Sequence, residues 1–207
     1  VYMADTFSPI SVQPRHELGS FYQKEFFGHQ EAMSEDSLYL NIWTPATTQE
    51  EKLPVLLWIH GGAYTGGYGH EIEFDGAKFC SRKVILVTIN YRLGVMGFLS
   101  HPWLQEENER GNFGIYDQIA AIQFIHEHIG AFGGDANNMT IMGQSAGSRS
   151  VQIICSTDKT KGLFSKAIMQ SAAGTNSICQ EITQEKQANI MKEVIAGLGY
   201  KDLAQLR

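Results

Sequence analysis

Short apolar runs that alternate with segments of helical periodicity constrain the fold of this chain more than any other feature. Four runs rich in β-branched residues, each ended by a turn signal, predict buried strands at residues 55–59, 84–89, 139–142 and 167–169. A fifth strand is predicted at residues 38–43, where apolar side chains alternate between two faces. Because strands separated by helices pair in parallel, the sequence predicts an α/β fold with a mostly parallel central sheet flanked by helices.

Three helices are predicted from apolar residues at helical spacing. The first spans residues 117–129 and is long enough to cross over a sheet; its apolar residues are Ile119, Ile122, Ile125 and Ile129. The second follows Ser145, and the third spans residues 184–196. One face of the third helix is expected to carry Ile190, Met191, Val194, Ile195 and Leu198.

Composition and charge exclude several classes of protein. Hydrophobic residues make up 43% of the 207 residues, enough for a sizeable core and too many for a disordered or collagen-like chain. The formal net charge of −6 argues against nucleic acid or an anionic membrane surface as the main partner. No apolar stretch is long enough to predict a membrane-spanning helix. The scattered cysteines Cys80, Cys155 and Cys179 form no CxxC pair, which argues against a metal site and favours a reducing compartment.

The segment Gly143-Gln144-Ser145-Ala146-Gly147 has the pattern and the context of a nucleophile elbow. A predicted strand precedes it and a predicted helix follows it. Such a turn holds the Ser145 hydroxyl above the sheet and places the Ala146 N–H at a helix start, where it can face an oxyanion. The motif alone arises by chance in roughly one chain in seven of this length and composition, so its flanks are what make it informative.

A second motif, His60-Gly61-Gly62-Ala63-Tyr64, comes at the end of the predicted strand 55–59. Glycine-rich backbone after a strand can direct successive N–H groups at one point, as an oxyanion hole requires. A phosphate-binding P-loop is excluded, because Gly66 is followed by Gly67 and Tyr68 rather than by Lys and Ser or Thr. Taken by itself, this motif can also be interpreted as a flexible glycine loop without a function. Its place upstream of Gly143 to Gly147 is the order that an α/β-hydrolase uses.

In these motifs the sequence resembles the type-B carboxylesterases, the group of the cholinesterases and the para-nitrobenzyl esterases. Seven ordered segments, spread over most of the stretch 34–171, carry the resemblance: Glu35 to Asn41, His60 to Ala63, Asn90 to Gly94, Asn112 to Gln118, Phe132 to Asp135, Gly143 to Gly147 and Lys161 to Phe164. The resemblance implies an α/β-hydrolase fold and hydrolysis of small carboxylic esters without a cofactor or a metal. It also implies that Ser145 is the nucleophile and that the N–H groups of Gly62, Ala63 and Ala146 form the oxyanion hole. A structural ion pair between Glu35 and Arg92 is implied as well.

Three departures from the family pattern qualify this interpretation. Secreted members usually carry a cysteine at the position of Ser37, paired with an upstream cysteine, so Ser37 favours a cytoplasmic location. The residue before the nucleophile is commonly Glu but here is Gln144, which makes a cationic, choline-like substrate less favoured.

Most importantly, no histidine follows Ser145, whereas the triad of an α/β-hydrolase runs Ser, then acid, then His. Residues 1–207 are therefore expected to form a single partial domain that lacks the part supplying the triad acid and histidine. The alternative is an inactive fragment, or one half of a split esterase that needs a second chain.

The remaining candidate residues receive no catalytic role. His126 and His128 are expected on a solvated helix face, and His60 is interpreted as a structural residue of the glycine loop. His16, His29, His70 and His101 have no supporting context, and the carboxylates Asp158, Glu181, Glu185, Glu193 and Asp202 lie too close after the elbow. The aromatic residues Tyr64, Tyr68 and Phe74 fit either a substrate gorge or the core.

Overall fold

The computed structural model describes residues 4–27, 30–106, 111–172 and 183–206. The strands in this part of the chain are β1 (Ile10–Ser11), β2 (Met33–Ser34), β3 (Leu40–Trp43), β4 (Leu53–Ile59), β5 (Ile85–Ile89), β6 (Gly134–Gln144) and β7 (Lys166–Gln170). The α-helices are α1 (Ala77–Cys80), α2 (Gly94–Phe98), α3 (Pro102–Glu106), α4 (Phe113–His128), α5 (Ala146–Cys155), α6 (Gln184–Gly197) and α7 (Leu203–Leu206). Short 3-10 turns lie at Gln49–Glu51, Ile72–Phe74, Ile129–Phe132 and Asp158–Thr160, and a π-helical turn at Gln23–Phe27.

The five predicted strands and three predicted helices are all present. The largest difference lies at β6, which begins at Gly134 rather than at Met139. Helix α4 also begins earlier than predicted, at Phe113. Within the described ranges, no helix combines the length and the apolar character needed to cross a membrane.

Five strands form the central sheet in the order β3-β5-β4-β6-β7. Strand β3 pairs antiparallel with β5, and the other three pairs are parallel. Strand β4 lies at the centre, where Leu57 is in register with Val87 on one side and Ile141 on the other. The parallel order follows from the helical crossovers, because a parallel pair needs a connection that returns along the sheet. The prediction of a mostly parallel sheet is confirmed.

The core lies between one face of this sheet and helices α4 and α5. Alternate residues of β4, namely Val55, Leu57 and Ile59, are almost completely buried on that face. Ile122 of α4 and Ile154 of α5 are fully buried against them. The predicted apolar residues Ile119, Ile125 and Ile129 belong to the same core. The helices therefore fix the carboxyl ends of β4 and β6, where the two sequence motifs begin.

Helix α6 is covered less completely than its periodicity predicts. Ile195 is buried on its predicted apolar face, but Val194 is 47% exposed and Leu198 68% exposed. The helix is attached near its start, where Gln187 Nε2 donates to Phe98 O at 2.9 Å. The apolar spacing therefore predicts the helix correctly and its packing only in part.

Two buried serine hydroxyls join the start of the described chain to the sheet. The Ser11 and Ser37 oxygens lie 2.9 Å apart, and Ser11 Oγ donates to Tyr91 O at 2.9 Å. Since the single hydroxyl proton of Ser11 is engaged by Tyr91 O, Ser37 donates to Ser11. Ser11 therefore occupies the place opposite Ser37 that an upstream cysteine would need for a disulfide.

The double variant Ser11→Cys/Ser37→Cys is expected to form a disulfide that stabilises the protein. Closing a loop of this length contributes about 3 kcal/mol, and the loss of the hydroxyl bond to Tyr91 O removes about 1 kcal/mol, which leaves a gain of about 2 kcal/mol. Urea denaturation of the oxidised variant and of the wild-type protein measures this net gain, comparison with the reduced variant isolates the contribution of about 3 kcal/mol from the disulfide, and peptide mass verifies the link between positions 11 and 37. Equal stability of the linked and the reduced forms would contradict the prediction.

Candidate active site

Ser145 lies on a strained turn between β6 and α5. Its φ of 54° and ψ of −121° fall in a region that residues with a side chain rarely adopt. The turn is held at both ends: the Ser145 N–H donates to Gln170 O of β7 at 2.9 Å, and Arg149 N–H donates to Ser145 O at 3.1 Å. The strand, turn and helix expected of a nucleophile elbow are thus present at the motif.

The two glycines of the elbow are required by close backbone contacts. A Cβ atom on Gly143 would lie 2.4 Å from the carbonyl carbon and oxygen of Gly147. A Cβ atom on Gly147 would lie 2.0 Å from Ile59 O and 2.7 Å from His60 O. Neither position has room for a side chain, so glycine is what lets the elbow pack directly against the end of β4. The glycine loop, residues 60–71, starts at that end.

The glycine loop passes beside Ser145. A Cβ atom on Gly61 would lie 3.0 Å from Gln144 O and 3.3 Å from Ser145 Cβ. The next two residues, Gly62 and Ala63, have φ values of 97° and 55° and are exposed. The backbone N–H groups of Gly62, Ala63 and Ala146 donate no hydrogen bond to another described residue. These groups are therefore free to bind an acceptor that lies next to the serine.

The segment 90–94, which follows β5, holds the glycine loop through three hydrogen bonds. Asn90 Oδ1 accepts from Gly69 N at 2.9 Å, and Gly94 N–H donates to Tyr64 O at 2.7 Å. The Tyr91 hydroxyl donates to His60 O at 2.9 Å. On another side, the Gln13 side chain accepts from Gly67 N at 2.7 Å and donates to Gly67 O at 3.1 Å. These hydrogen bonds fix the conformation of the loop.

Burial changes the protonation of two side chains of this loop. Burial lowers the pKa of His60 to about 4, and the hydrogen bond to Gly61 O, which raises the pKa, offsets only part of this shift. Burial also raises the pKa of Glu71 to about 7, although the Tyr68 N–H donates to its carboxylate. His60 is therefore neutral at neutral pH.

Arg92 forms an ion pair with Asp117, and among the described residues none joins it to Glu35, so the expectation of a Glu35–Arg92 pair is corrected. Arg92 donates from Nε and Nη2 to the two carboxylate oxygens of Asp117 at 2.9 and 2.7 Å. A Cβ atom on Gly97 of α2 or on Gly114 of α4 would lie 2.1 or 2.5 Å from Arg92 O. Because these glycines let α2 and α4 pack closely around Arg92, Asp117 comes within reach, whereas Glu35 is exposed. The segment Asn112 to Gln118 is part of the resemblance, but no local pattern indicates this contact.

None of the described histidines is hydrogen-bonded to Ser145. His126 Nδ1 donates to Leu163 O at 3.1 Å, and His128 lies 3.9 Å from the Glu127 carboxylate. His16 stacks on Phe27, and His101 Nδ1 accepts from Trp103 N. His29, Cys179 and Glu181 lie outside the described residues.

Of the three aromatic residues that fitted either a gorge or the core, Tyr68 is buried and Tyr64 and Phe74 are half-buried. Tyr64 packs against Phe98 at a ring distance of 4.9 Å, and Phe74 packs against Trp58 at 5.0 Å. Tyr64 packs against the core, whereas Phe74 lines an open cavity with Trp58 and Met142.

Known proteins resemble this chain in sequence and in fold. A sequence profile of the Carboxylesterase family matches residues 1–206. The chain belongs to the carboxylesterase family. The para-nitrobenzyl esterase of Bacillus subtilis (strain 168) is 42% identical over 170 residues, which are 82% of this chain and 33% of that protein. The juvenile hormone esterase of Tribolium castaneum is 48% identical over 140 residues, which are 68% of this chain and 23% of that protein.

Solved structures extend the likeness to the fold. The crystal structure of a Geobacillus stearothermophilus carboxylesterase matches with a TM-score of 0.77 and 38% identity, and the match covers 95% of this chain and 38% of that one. A thermophilic para-nitrobenzyl esterase matches with a TM-score of 0.78 over the same shares. The predicted resemblance and the α/β-hydrolase fold, in incomplete form, are confirmed. The chain spans only the smaller part of the length of these relatives.

Proposed function

We propose that this chain carries the nucleophile and the oxyanion hole of a serine carboxylesterase. The observation that carries the proposal is the contact between the glycine loop and the elbow, with the Cβ position of Gly61 3.3 Å from Ser145 Cβ. This contact supports the proposal because the free N–H groups of Gly62 and Ala63 follow Gly61 directly in the chain, and Ser145 stands on a strained turn. That combination suits acyl transfer.

In the proposed reaction, Ser145 Oγ attacks the carbonyl carbon of a carboxylic ester and its proton passes to a general base. The carbonyl oxygen becomes an oxyanion, which accepts hydrogen bonds from the N–H groups of Gly62, Ala63 and Ala146. Collapse of this intermediate breaks the bond to the alkoxy group, which takes the proton from the base and leaves as the alcohol, and an acyl-enzyme remains on Ser145. Water then gives a proton to the base and attacks the acyl carbon, and the acid is released as the proton returns to Ser145 Oγ. Each N–H donor contributes roughly 3 to 4 kcal/mol to the stability of the transition state.

The general base and its carboxylate partner are assigned outside these 207 residues. No histidine follows Ser145 in the sequence, and the described upstream histidines contact other groups. Residues 1–207 are accordingly one partial domain, and its partner is the polypeptide that supplies the acid and the histidine. The same observation favours the second candidate, in which the chain by itself is an inactive fragment or one half of a split esterase.

The proposed substrate is a small carboxylic ester, and no step requires a cofactor. The exposed side chain before Ser145 is Gln144, which adds no negative charge for a cationic alcohol group. A cytoplasmic location is part of the proposal: Ser11 and Ser37 are joined by a hydrogen bond, and Cys80 and Cys155 are free thiols.

Covalent labelling tests the proposal. When the complete gene product that contains these residues reacts with a fluorophosphonate, the adduct is expected on the peptide with Ser145, because this reagent phosphonylates an activated serine in an oxyanion hole. Ser145→Ala should abolish the adduct. Ser156→Ala is the matched control, since Ser156 is an exposed serine at the end of α5 whose hydroxyl donates to Gln152 O. Modification of another residue, or none at Ser145, would refute the assignment.

A further inference from the structure

We propose that His60 is a positioning residue of the oxyanion hole, which orients the Gly62 N–H through a hydrogen bond to the carbonyl oxygen of the same peptide group. The inference rests on the proposed function and gives a side chain a role in it. His60 itself touches neither the substrate nor Ser145 in this scheme.

The first step of the argument is the geometry of one peptide group. His60 Nδ1 lies 2.8 Å from Gly61 O, and the carbonyl can only accept, so Nδ1 carries the proton and donates it. Gly61 O and the Gly62 N–H belong to one peptide plane and point in opposite directions, because the described residues contain no cis peptide bond. Fixing the oxygen towards the buried imidazole therefore fixes the Gly62 N–H on the opposite, open side of the loop.

The imidazole is held so that it cannot turn away. The His60 side chain is buried, and its ring stacks on that of Tyr91 at 4.3 Å with an interplanar angle of 17°. On another side, a Cβ atom on Gly67 would lie 2.4 Å from His60 Nδ1. The Tyr91 hydroxyl donates to His60 O, so the same tyrosine holds both the ring and the backbone. A donor fixed in advance is what a preorganised site needs.

The second ring nitrogen argues against a purely structural histidine. His60 Nε2 is buried without a hydrogen-bond partner among the described residues. A buried, unpaired polar atom destabilises a protein, and a phenyl ring would fill the space without that cost. The feature that distinguishes histidine here is its Nδ1–H. The low pKa of His60, about 4 because of burial, keeps the ring neutral and Nε2 unprotonated at neutral pH.

The bond also makes Gly62 a better donor. A hydrogen bond to the carbonyl oxygen polarises the peptide group, and the N–H of that group then binds an anion more strongly. This effect acts on the transition state, where the negative charge develops, and hardly on the neutral ester.

Kinetics of the complete gene product test the proposal with a pair of variants of equal shape. His60→Asn places an amide N–H where Nδ1 stood, and His60→Leu places a methyl group there. His60→Leu is expected to have a kcat roughly 10- to 100-fold below that of His60→Asn, with KM values within about twofold. Binding of a trifluoromethyl ketone, whose adduct with a serine carries an oxyanion, should weaken by the same factor. His126→Leu is the control, because His126 also donates to a backbone carbonyl, that of Leu163, and it should match the wild type.

The outcomes separate the two proposals. Equal kcat values for folded His60→Asn and His60→Leu, or a change in KM alone, overturn the role of His60 and leave the proposed function in place. Absence of Ser145 labelling in the wild type overturns both. Should neither of the pair fold, as judged by circular dichroism, His60→Phe decides: it keeps the ring stacked on Tyr91 and lacks the donor, so wild-type kcat in this variant overturns the role and a loss of kcat and ketone affinity together supports it.

Discussion

Gly147→Ala is expected to slow fluorophosphonate labelling of Ser145 by about 100-fold or more and to destabilise the protein by at least about 3 kcal/mol. The added methyl group would lie 2.0 Å from Ile59 O and 2.7 Å from His60 O. Both oxygens belong to backbone at the end of the central strand, so neither can rotate away as a side chain could. Relief of the clash must move α5 away from β4, and with it Ser145 away from the glycine loop.

Labelling rates and urea denaturation of the complete gene product measure the two effects. Gly130→Ala and Gly197→Ala are matched controls, because a Cβ atom at either position meets nothing within 4 Å. Each control is expected to stay within about 1 kcal/mol of the wild type. Wild-type labelling and stability in Gly147→Ala would show that the elbow does not pack on β4 as described.

Local patterns predict the elements but not all their ends. Strand β6 runs back to Gly134 through the polar stretch Asp135-Ala136-Asn137-Asn138, whose sequence has no strand character. Its pairing there is irregular, because the register with β4 shifts between Leu53 and Val55. Helix α4 begins before the predicted residue 117 although Gly114 is a poor helix former. Gly114 serves packing instead, since a Cβ atom there would lie 2.5 Å from Arg92 O.

Periodicity also identifies apolar faces without identifying what covers them. The apolar run that contains Ile168 and Met169 of β7 predicts a buried strand, yet these residues are 43% and 42% exposed. In the order of the sheet β7 is an edge strand, paired only with β6 among the described residues. An apolar run indicates that burying its side chains is favourable, whereas the element that covers them is determined by residues far away in the sequence.

In the candidate site, too, local patterns predict the motifs but not the contacts that hold them together. The elbow and the glycine loop are recognisable because each is a short motif whose backbone conformation depends on its own glycines. The groups that hold them together are far apart in the sequence: Gln13 contacts Gly67, and Arg92 contacts Asp117. The role of Tyr91 beneath His60 is missed for the same reason. A single sequence contains no signal for such contacts beyond the identity of the polar residues.

The 207-residue chain by itself is expected to hydrolyse p-nitrophenyl acetate at least about 10⁴-fold more slowly than the complete gene product. A serine hydroxyl without a general base is a weak nucleophile at neutral pH, and the described histidines do not reach Ser145. The oxyanion hole alone retains some catalysis, so a small residual rate is compatible with the proposed site.

The measurement compares kcat/KM of the two proteins and of their Ser145→Ala variants, with circular dichroism to verify that the shorter chain is folded. Ser145→Ala should lower the rate of the complete protein to the small residual rate that the oxyanion hole and substrate binding supply without the nucleophile. Turnover by the 207-residue chain close to that of the complete protein, abolished by Ser145→Ala, would mean that a base within these residues activates the serine. In that case the assignment of the base to polypeptide outside residues 1–207 is wrong, and the serine mechanism itself is retained.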